Sequence, residues 1–321
     1  MASAEAVFAV IEAAGAHVPG LMDRTEERLA ALARSHGDVL AEHAGATIAA
    51  GGKRLRPLLV LLAAGPPPSA EAEERLVRAA AAVELVHSAT LVHDDVLDAA
   101  ALRRGRPTVF AEAGRMMATA TGDLLFALAF TELVGNERAD EVRVLSAAAS
   151  ALARGELTQR ADAWDTAITR ERYLHRCDLK TARLFQAACE LGALEAGGPV
   201  EILGPFGRRI GLAFQLLDDI LDVSGPAERT GKHRGTDLLD GTVTLPLILA
   251  REQDPGIALP VAGPDEAEAL CERIAATGAL EAARAEALEI VAEAKAALPA
   301  LPEGQRGALE LVADGVVDRY S

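Results

Sequence analysis

The feature that most constrains the fold is a helical repeat that runs through most of the chain. Apolar residues recur at every third or fourth position in long segments, at 21–42, 70–98, 116–134, 138–163, 172–195, 199–223 and 265–298. No segment alternates apolar and polar residues between turn signals, so the sequence predicts helices and no strand. Short breaks rich in Gly and Pro separate the segments. We therefore expect one all-α domain over residues 1–321.

The composition fits a globular protein with an unusual core. Hydrophobic residues make up 50% of the 321 residues and charged residues 25%, which is not the balance of a disordered chain. Aromatic residues are only 3%, so Ala, Leu and Val must fill the core. The formal net charge of −16 argues against nucleic acid as a general partner. It leaves room for a local basic pocket that binds a phosphorylated ligand.

The sequence also bears on the location of the protein. No run without charges approaches the roughly 18 residues that a transmembrane helix needs, so we expect no membrane span. The first residues include Glu5 and Glu12 and lack a basic region, which is unlike a secretory signal. Three scattered cysteines occur without a CxxC pattern, at Cys177, Cys189 and Cys271. We expect reduced thiols and a cytoplasmic protein.

One acidic motif, DDxxD, occurs twice, at the end of two apolar helical segments. Its six aspartates are Asp94, Asp95, Asp98, Asp218, Asp219 and Asp222. On a helix the first and last aspartate of each copy share a face and repel each other unless a cation lies between them. Mg²⁺ commonly takes one or two carboxylates together with substrate phosphates. A solvated acidic helix end is the alternative, but it opposes the helix dipole, and the second copy makes it less attractive.

Basic residues cluster close to the acidic motifs. One cluster, with Lys53, Arg54 and Arg56, follows two glycines; Arg103, Arg104 and Arg106 follow the first motif, and Lys232, His233 and Arg234 follow the second. Arginine forks and lysine ammonium groups both suit phosphate oxygens. Any one cluster alone is typical of a protein surface. Carboxylates and cations in one cleft indicate a ligand that is both metal-bound and polyanionic, such as a diphosphate.

His87 lies seven residues before Asp94, two helical turns back on the same face, from where it can reach a phosphate beside the metal. A histidine that only satisfies the core is the alternative. Glu84 and His87 also have the Glu-x-x-His spacing of di-iron bundles. Those sites need two such motifs and two further glutamates, and we find one motif only. The sequence has no phosphate-binding loop of the GxxxxGK[ST] type and no nucleophile motif.

Taken together, the motifs resemble those of the trans (all-E) polyprenyl diphosphate synthases, of the medium- and long-chain type. The segments GGKRLRP, ELVHSATLVHDD, LRRGRPT, LKTARLF, FQLLDDILD and GTDLLDGTVTLP occur in the family's order and cover about residues 45–250. The resemblance implies an all-α, isoprenoid-synthase-type bundle around a deep central cavity, usually in a homodimer. It also implies a Mg²⁺-dependent transferase, with three ions per site when substrate is bound. Isopentenyl diphosphate is joined to an allylic diphosphate by ionisation, condensation and proton loss.

The resemblance assigns roles to individual residues. The isopentenyl diphosphate would be held by Lys53, Arg56, His87 and Arg104, and the allylic diphosphate by Arg103 and Lys232. Mg²⁺ would be bound by Asp94 and Asp98 on one side and by Asp218 on the other, with support from Asp95, Asp219 and Asp222. Positions near the departing diphosphate and the new cation are Lys180, Thr181 and Gln215. The sequence departs from the family at Thr242, where many members have a lysine that contacts diphosphate.

Product length is predicted from the positions four and five residues before Asp94. In the family, large aromatic residues there stop growth early; this chain has Ala89 and Thr90, with Val86 and Val83 beneath them. We expect an all-trans product longer than C20, in the C30–C50 range. A floor from another helix, at Phe126 or Phe130, and simple helix packing of the small residues remain alternatives.

Other activities stay open at this point. A geranylgeranyl or farnesyl diphosphate synthase would share these motifs. A class I terpene cyclase shares the fold and the first motif, but its cavity is usually rich in aromatics and its second metal motif is usually different. A regulatory subunit of a two-component synthase generally lacks the acidic motifs, whereas the catalytic subunit of such a heteromer keeps them.

Overall fold

The computed structural model describes residues 10, 12–35, 37–49, 54–103, 105–225 and 234–318. The helices within these ranges are α1 (His17–Arg34), α2 (Asp38–Ala49), α3 (Leu55–Ala64), α4 (Ala70–Leu97), α5 (Val109–Val134), α6 (Ala139–Ala161), α7 (Arg170–Cys177), α8 (Arg183–Ala196), α9 (Val200–Ser224), α10 (Thr236–Leu239), α11 (Leu245–Gln253), α12 (Pro264–Ala276), α13 (Ala279–Ala296) and α14 (Glu303–Asp318). A π-helical turn, Asp178–Ala182, joins α7 to α8. The all-α prediction is confirmed.

Two predicted helices are each divided in two by a glycine. The segment 21–42 is divided at Gly37 (φ 87°), and the segment 265–298 at Gly278 (φ 79°). Both glycines take a left-handed conformation that interrupts a right-handed helix at little steric cost. The prediction that no strand occurs is wrong in one place. Leu102–Arg103 and Arg106–Pro107 form a two-residue antiparallel pair, β1 and β2, around a turn at Gly105.

Helix α4 lies at the centre of the bundle. It runs antiparallel to α5 and also packs against α1, α3 and α8, while α9 packs against α8 and α13. The core is built mainly from Ala, Leu and Val, as the low aromatic content predicts. Small residues let the helices approach closely: a Cβ on Gly192 of α8 would lie 2.1 Å from the carbonyl oxygen of Val60 in α3. Such contacts compensate for the scarcity of large side chains.

Among the described residues, one helix, α5, is long and apolar enough to cross a membrane by length and composition. In its most apolar window 44% of the residues are buried in the protein. The helix packs along α4 on one side, as a core helix does, and its other side is open. Met116 is 86% exposed and Val134 is 61% exposed on that open side.

A buried polar cluster closes the end of the bundle remote from the aspartates. Glu141 and Glu195 are buried in α6 and α8. Nδ2 of Asn136 donates to Glu141 at 2.9 Å, and Nε of Arg75 donates to Glu195 at 2.7 Å. Burial, followed by hydrogen bonding to Glu195, raises the pKa of Glu141 to about 8. The Glu141 carboxyl group therefore holds its proton at neutral pH.

This cluster predicts a pH-dependent stability. Because the pKa of Glu141 is raised in the folded state, the folded protein binds the extra proton, and the free energy of unfolding falls as the pH rises from about 4.5 to about 8. Glu141→Gln keeps a donor for Glu195 and removes the titrating group. We expect the difference in the free energy of unfolding, variant minus parent, to increase by about 1–3 kcal/mol from pH 5 to pH 9. Urea unfolding at both pH values measures this gain, with Glu289→Gln on the exposed side of α13 as the control. An equal difference at both pH values would contradict the raised pKa of Glu141.

Candidate active site

The π-helical turn carries two of the predicted site residues. Residues Asp178–Ala182 form one wide turn between α7 and α8 and carry Lys180 and Thr181. Such turns are rare and occur most often at functional sites. Gly155 of α6 lies directly against the turn, since a Cβ there would come within 2.6 Å of the Lys180 backbone nitrogen. The small residue brings α6 close enough for its polar side chains to reach Lys180.

One chain of hydrogen bonds connects this turn to the second acidic motif. The Thr181 hydroxyl donates to Oε1 of Gln215 at 2.5 Å, and Nε2 of Gln215 donates to Oδ1 of Asp219 at 2.7 Å. The Tyr173 hydroxyl donates to the other oxygen of Asp219 at 2.7 Å. Burial, together with the nearby Asp237 carboxylate, raises the pKa of Asp219 to about 7. Asp219 is thus held inside the protein and supports the motif from behind.

The first acidic motif lies on the other side of the same turn. Nζ of Lys180 donates to Oε2 of Glu156 at 2.5 Å and to Oε1 of Gln159 at 3.2 Å. Lys180 also attracts the Asp94 carboxylate, and this attraction lowers the pKa of Asp94. Burial outweighs it and raises the pKa of Asp94 to about 6. The structure therefore places Lys180 near Asp94 of the first motif, and connects Thr181 through Gln215 to Asp219 of the second.

The remaining aspartates of the first motif have cationic partners. Nε and Nη2 of Arg103 both donate to Oδ1 of buried Asp95 at 2.8 Å, which fixes the β1–β2 turn over the end of α4. Asp98 is the C-terminal cap of α4 and is exposed. Nη2 of Arg160 donates to it at 2.5 Å. Asp94 and Asp98 both attract Lys180, Asp94 the more strongly, and the exposed Asp98 lies at the mouth of the site.

The second motif occupies the last two turns of α9. Asp218 is exposed, and Asp222 is half-buried and accepts the backbone N–H of Asp237 at 3.1 Å. This bond and that from the Gly235 N–H to the Asp222 carbonyl, at 2.9 Å, return the chain beyond residue 233 to the end of α9. Asp222 therefore has a structural task in addition to its predicted role near the metal.

Two of the predicted diphosphate ligands lie on neighbouring helices. The Arg56 guanidinium of α3 lies 4.7 Å from the centre of the Phe185 ring, and His87 of α4 is half-buried. Arg54, beside Arg56, is instead a structural anchor: its Nη1 donates to Glu84 at 2.7 Å, and both side chains are almost fully buried. Glu84 therefore binds a cationic side chain, and this contact does not support the di-iron alternative.

Three predicted ligands, Lys53, Arg104 and Lys232, lie outside the described residues. The structure does describe position 242, where many family members have a lysine. Thr242 is half-buried, and its N–H donates to the Asp237 carbonyl at 2.8 Å. Gly241, at φ +71°, lies under the Trp164 ring, where a Cβ would be 2.3 Å from the ring. Trp164 thus fixes the segment that carries Thr242.

The sequence analysis missed three residues of the site. Glu156 and Arg160 lie one turn apart in α6, and Tyr173 is buried in α7. Glu156, Gln159 and Arg160 do form a polar run in an Ala-rich segment, which is a weak signal. Their approach to Lys180 and Asp98 depends on how α6 packs against α4 and the π-helical turn, which no local pattern reveals.

The donor set fits magnesium in one particular way. Both motifs supply carboxylate oxygens, which are the ligands of hard divalent cations. Within the described ranges, no three His, Cys, Asp or Glu side chains already converge as a complete metal site. Mg²⁺ typically keeps several waters and uses one or two carboxylates plus substrate phosphates. The residues fit an ion that binds together with a polyanionic substrate.

Comparisons with known proteins agree with this geometry. The family profile described as polyprenyl synthetase matches residues 38–274. Over 266 residues the chain is 41% identical to heptaprenyl diphosphate synthase component 2 of Geobacillus stearothermophilus, covering 80% of this chain and 82% of that protein. The solved heptaprenyl diphosphate synthase of Staphylococcus aureus superposes with a TM-score of 0.88 at 29% identity, covering 95% and 99%. A Caulobacter crescentus polyprenyl synthase, complexed with calcium and isoprenyl diphosphate, superposes with a TM-score of 0.86 at 35% identity, covering 98% of each chain.

Proposed function

The chain belongs to the polyprenyl synthetase family, and from that premise we propose how its residues divide the work of the reaction. It is a chain-elongating prenyltransferase that makes polyprenyl diphosphates longer than C20. Its substrates are isopentenyl diphosphate and an allylic diphosphate. The observation that carries the residue assignment is the π-helical turn, because Lys180 faces Asp94 on one side and Thr181 reaches Asp219 through Gln215 on the other.

The proposed mechanism follows from this arrangement. Cleavage of the allylic C–O bond leaves negative charge on the diphosphate and positive charge on carbon. Asp94, Asp98 and Asp218 would hold Mg²⁺, which supplies Lewis-acid stabilisation of the departing diphosphate when bound. Lys180, together with Arg103 and Lys232, donates to diphosphate oxygens. The Thr181 and Gln215 oxygens would stabilise the carbon cation, and exclusion of water from the site would protect it.

The isopentenyl diphosphate is assigned to Arg56 and His87, with Lys53 and Arg104. We predict that Arg56→Ala raises the KM for isopentenyl diphosphate by about ten- to a hundred-fold, since a charge-assisted hydrogen bond contributes roughly 1.5–3 kcal/mol. Steady-state kinetics with each substrate varied in turn give both KM values. Arg143→Ala, on the exposed face of α6, is the matched control. A rise confined to the KM of the allylic substrate would show that the two sites are assigned the wrong way round.

The assembly is proposed to be a homodimer through the open side of α5. Exposed Met116, Ala120, Ala127 and Val134 lie along that side, with exposed Asp123 between them. Exposed apolar side chains grouped on one helix face are typical of a protein interface. The relative from Geobacillus is named as component 2 of its enzyme, so a heteromer is the alternative. We propose that the enzyme acts in the cytoplasm, which is supported by its three buried cysteines, all of them free thiols.

One assay tests the proposed function and the need for a partner. The purified chain is incubated with Mg²⁺, labelled isopentenyl diphosphate and an allylic diphosphate, and the products are sized after phosphatase treatment. We expect incorporation by the chain alone and products longer than C20. Consumption of the allylic diphosphate without isopentenyl diphosphate would support a terpene cyclase. Incorporation only after a second subunit is added would support the heteromer.

A further inference from the structure

Arg160, in the last turn of α6, bridges two acidic groups of the site. Its Nη2 donates to Oδ1 of Asp98 at 2.5 Å, and its Nε donates to Oε1 of Glu156 at 2.7 Å. The side chain is 38% exposed, so the guanidinium lies at the mouth of the site. Two charge-assisted hydrogen bonds from one planar group fix its position.

Arg160 is one step of a ladder of alternating charges. The order is Asp98, Arg160, Glu156, Lys180 and Asp94, since Lys180 binds Glu156 from the other side at 2.5 Å and attracts Asp94. Burial opposes the ionisation of Glu156, but Lys180 and Arg160 outweigh it and lower its pKa. Each carboxylate therefore has an adjacent cation without any metal. A divalent cation that binds Asp98 competes with the guanidinium for the same carboxylate.

We infer that Arg160 is a positioning residue that makes metal binding depend on the diphosphate. In the metal-free enzyme it occupies Asp98 and weakens the binding of the metal alone. When the metal and the diphosphate bind together, Asp98 leaves the guanidinium and binds the metal. The Nη2 of Arg160 then donates to a diphosphate oxygen instead. This inference rests on the proposed function, because a metal-bound diphosphate is the ligand.

The second contact of Arg160, with Glu156, explains why the side chain stays in place after its hydrogen bond to Asp98 is broken. Glu156 is 15% exposed and is itself held by Lys180, so it keeps its bond to Nε of Arg160. The freed Nη2 then points out of the α6 end at the mouth, beside the first acidic motif. A guanidinium edge suits phosphate oxygens, and the negative charge of the diphosphate replaces that of Asp98.

The experiment measures binding without turnover. Mn²⁺ is the probe, its free concentration is followed by electron paramagnetic resonance, and inorganic diphosphate is titrated separately at saturating Mg²⁺. For Arg160→Gln we expect Mn²⁺ alone to bind about two- to five-fold more tightly, because an exposed ion pair is lost. We expect inorganic diphosphate to bind about ten-fold more weakly. Arg154→Gln removes a charge from an exposed position of the same helix and controls for net charge.

Opposite signs of the two effects distinguish this role from a merely structural one. Weakening of both ligands, or no change in Mn²⁺ binding relative to Arg154→Gln, would overturn the inference. Arg160→Lys keeps a charge but cannot bridge Asp98 and Glu156 in the same way, so changes smaller than those of Arg160→Gln and of the same signs are expected. This variant decides the matter if Arg160→Gln does not fold. Failure of the parent protein to bind Mg²⁺ and diphosphate together would instead contradict the proposed function.

Discussion

Asp94→Asn is expected to lower the turnover number by about three orders of magnitude while the protein stays folded. Asp94 is the carboxylate of the first motif that faces Lys180, and it is assigned to the metal that stabilises the departing diphosphate. Asparagine keeps the shape of the side chain and removes its charge. Turnover at saturating substrates and Mg²⁺ is the measurement. Asp218→Asn, in the second motif, is expected to have an effect of the same order.

The fold is expected to survive this change because the charge of Asp94 does not stabilise it. Burial raises the pKa of Asp94 to about 6, which means that the ionised group costs stability in the folded, metal-free protein. At pH 7 to 8 without metal, Asp94→Asn should therefore melt at a temperature no lower than that of the parent. Glu289→Gln, in an exposed part of α13, controls for the loss of one negative charge. Full activity of the parent in excess EDTA, or near-parental turnover of Asp94→Asn, would contradict the metal assignment.

The fold was predictable because its signals are local. Helical periodicity predicts the bounds of α4 and α9 to within one residue, as 70–98 and 199–223. Both helices are long, and each ends in an acidic motif. The errors also have local causes. Gly37 and Gly278 interrupt helices because their backbone is left-handed. A single glycine within an apolar repeat does not predict that conformation. The β1–β2 pair is held by a turn at Gly105 and by Arg103 on Asp95, which is a contact between two elements.

The candidate site was predictable where a motif carries it and unpredictable where packing does. The repeated aspartates point to a divalent cation without any structure. The sequence alone does not reveal that Asp219 is buried under Tyr173, or that Glu84 is held by Arg54. Nor does it reveal the ladder through Glu156 and Arg160, because that ladder depends on the close contact of α6 with the π-helical turn at Gly155. Tertiary contacts of this kind fix the positions of these carboxylates, and burial raises the pKa of Asp94 and of Asp219.

The structure adds a second helix to the prediction of product length. His93 of α4 lies beside Gly122 of α5, and Nη1 of Arg78 donates to the Gly135 carbonyl at 2.5 Å, so the two helices run antiparallel in a fixed register. Between these contacts, Phe126 and Phe130 of α5 are half-buried, and Phe126 lies 5.8 Å from the His93 ring. In that register Phe126 is level with Ala89, and Phe130 is one turn deeper.

Ala89 is fully buried, while Thr90 is half-buried and donates its hydroxyl to the His87 carbonyl at 2.7 Å. From Asp94 to Arg78 the helix α4 rises about 24 Å, which is the length of several isoprene units. We propose that a long product depends on the absence of bulk at positions 89 and 90, with Phe130 as the deeper limit.

Ala89→Phe is expected to shift the main product from above C20 to C15 or C20, because the ring would fill the first turn below the metal site. Overpacking at a buried alanine costs about 1–3 kcal/mol, so Thr90→Phe, at a half-buried position, provides a second variant with the same expected shift. Phe130→Ala is expected to lengthen the product. Product sizing with excess isopentenyl diphosphate measures all three, with Ala153→Phe on the exposed face of α6 as the control. A parent enzyme that itself stops at C15 or C20 would contradict this prediction. It would show that another side chain, above Phe130, already limits growth of the product.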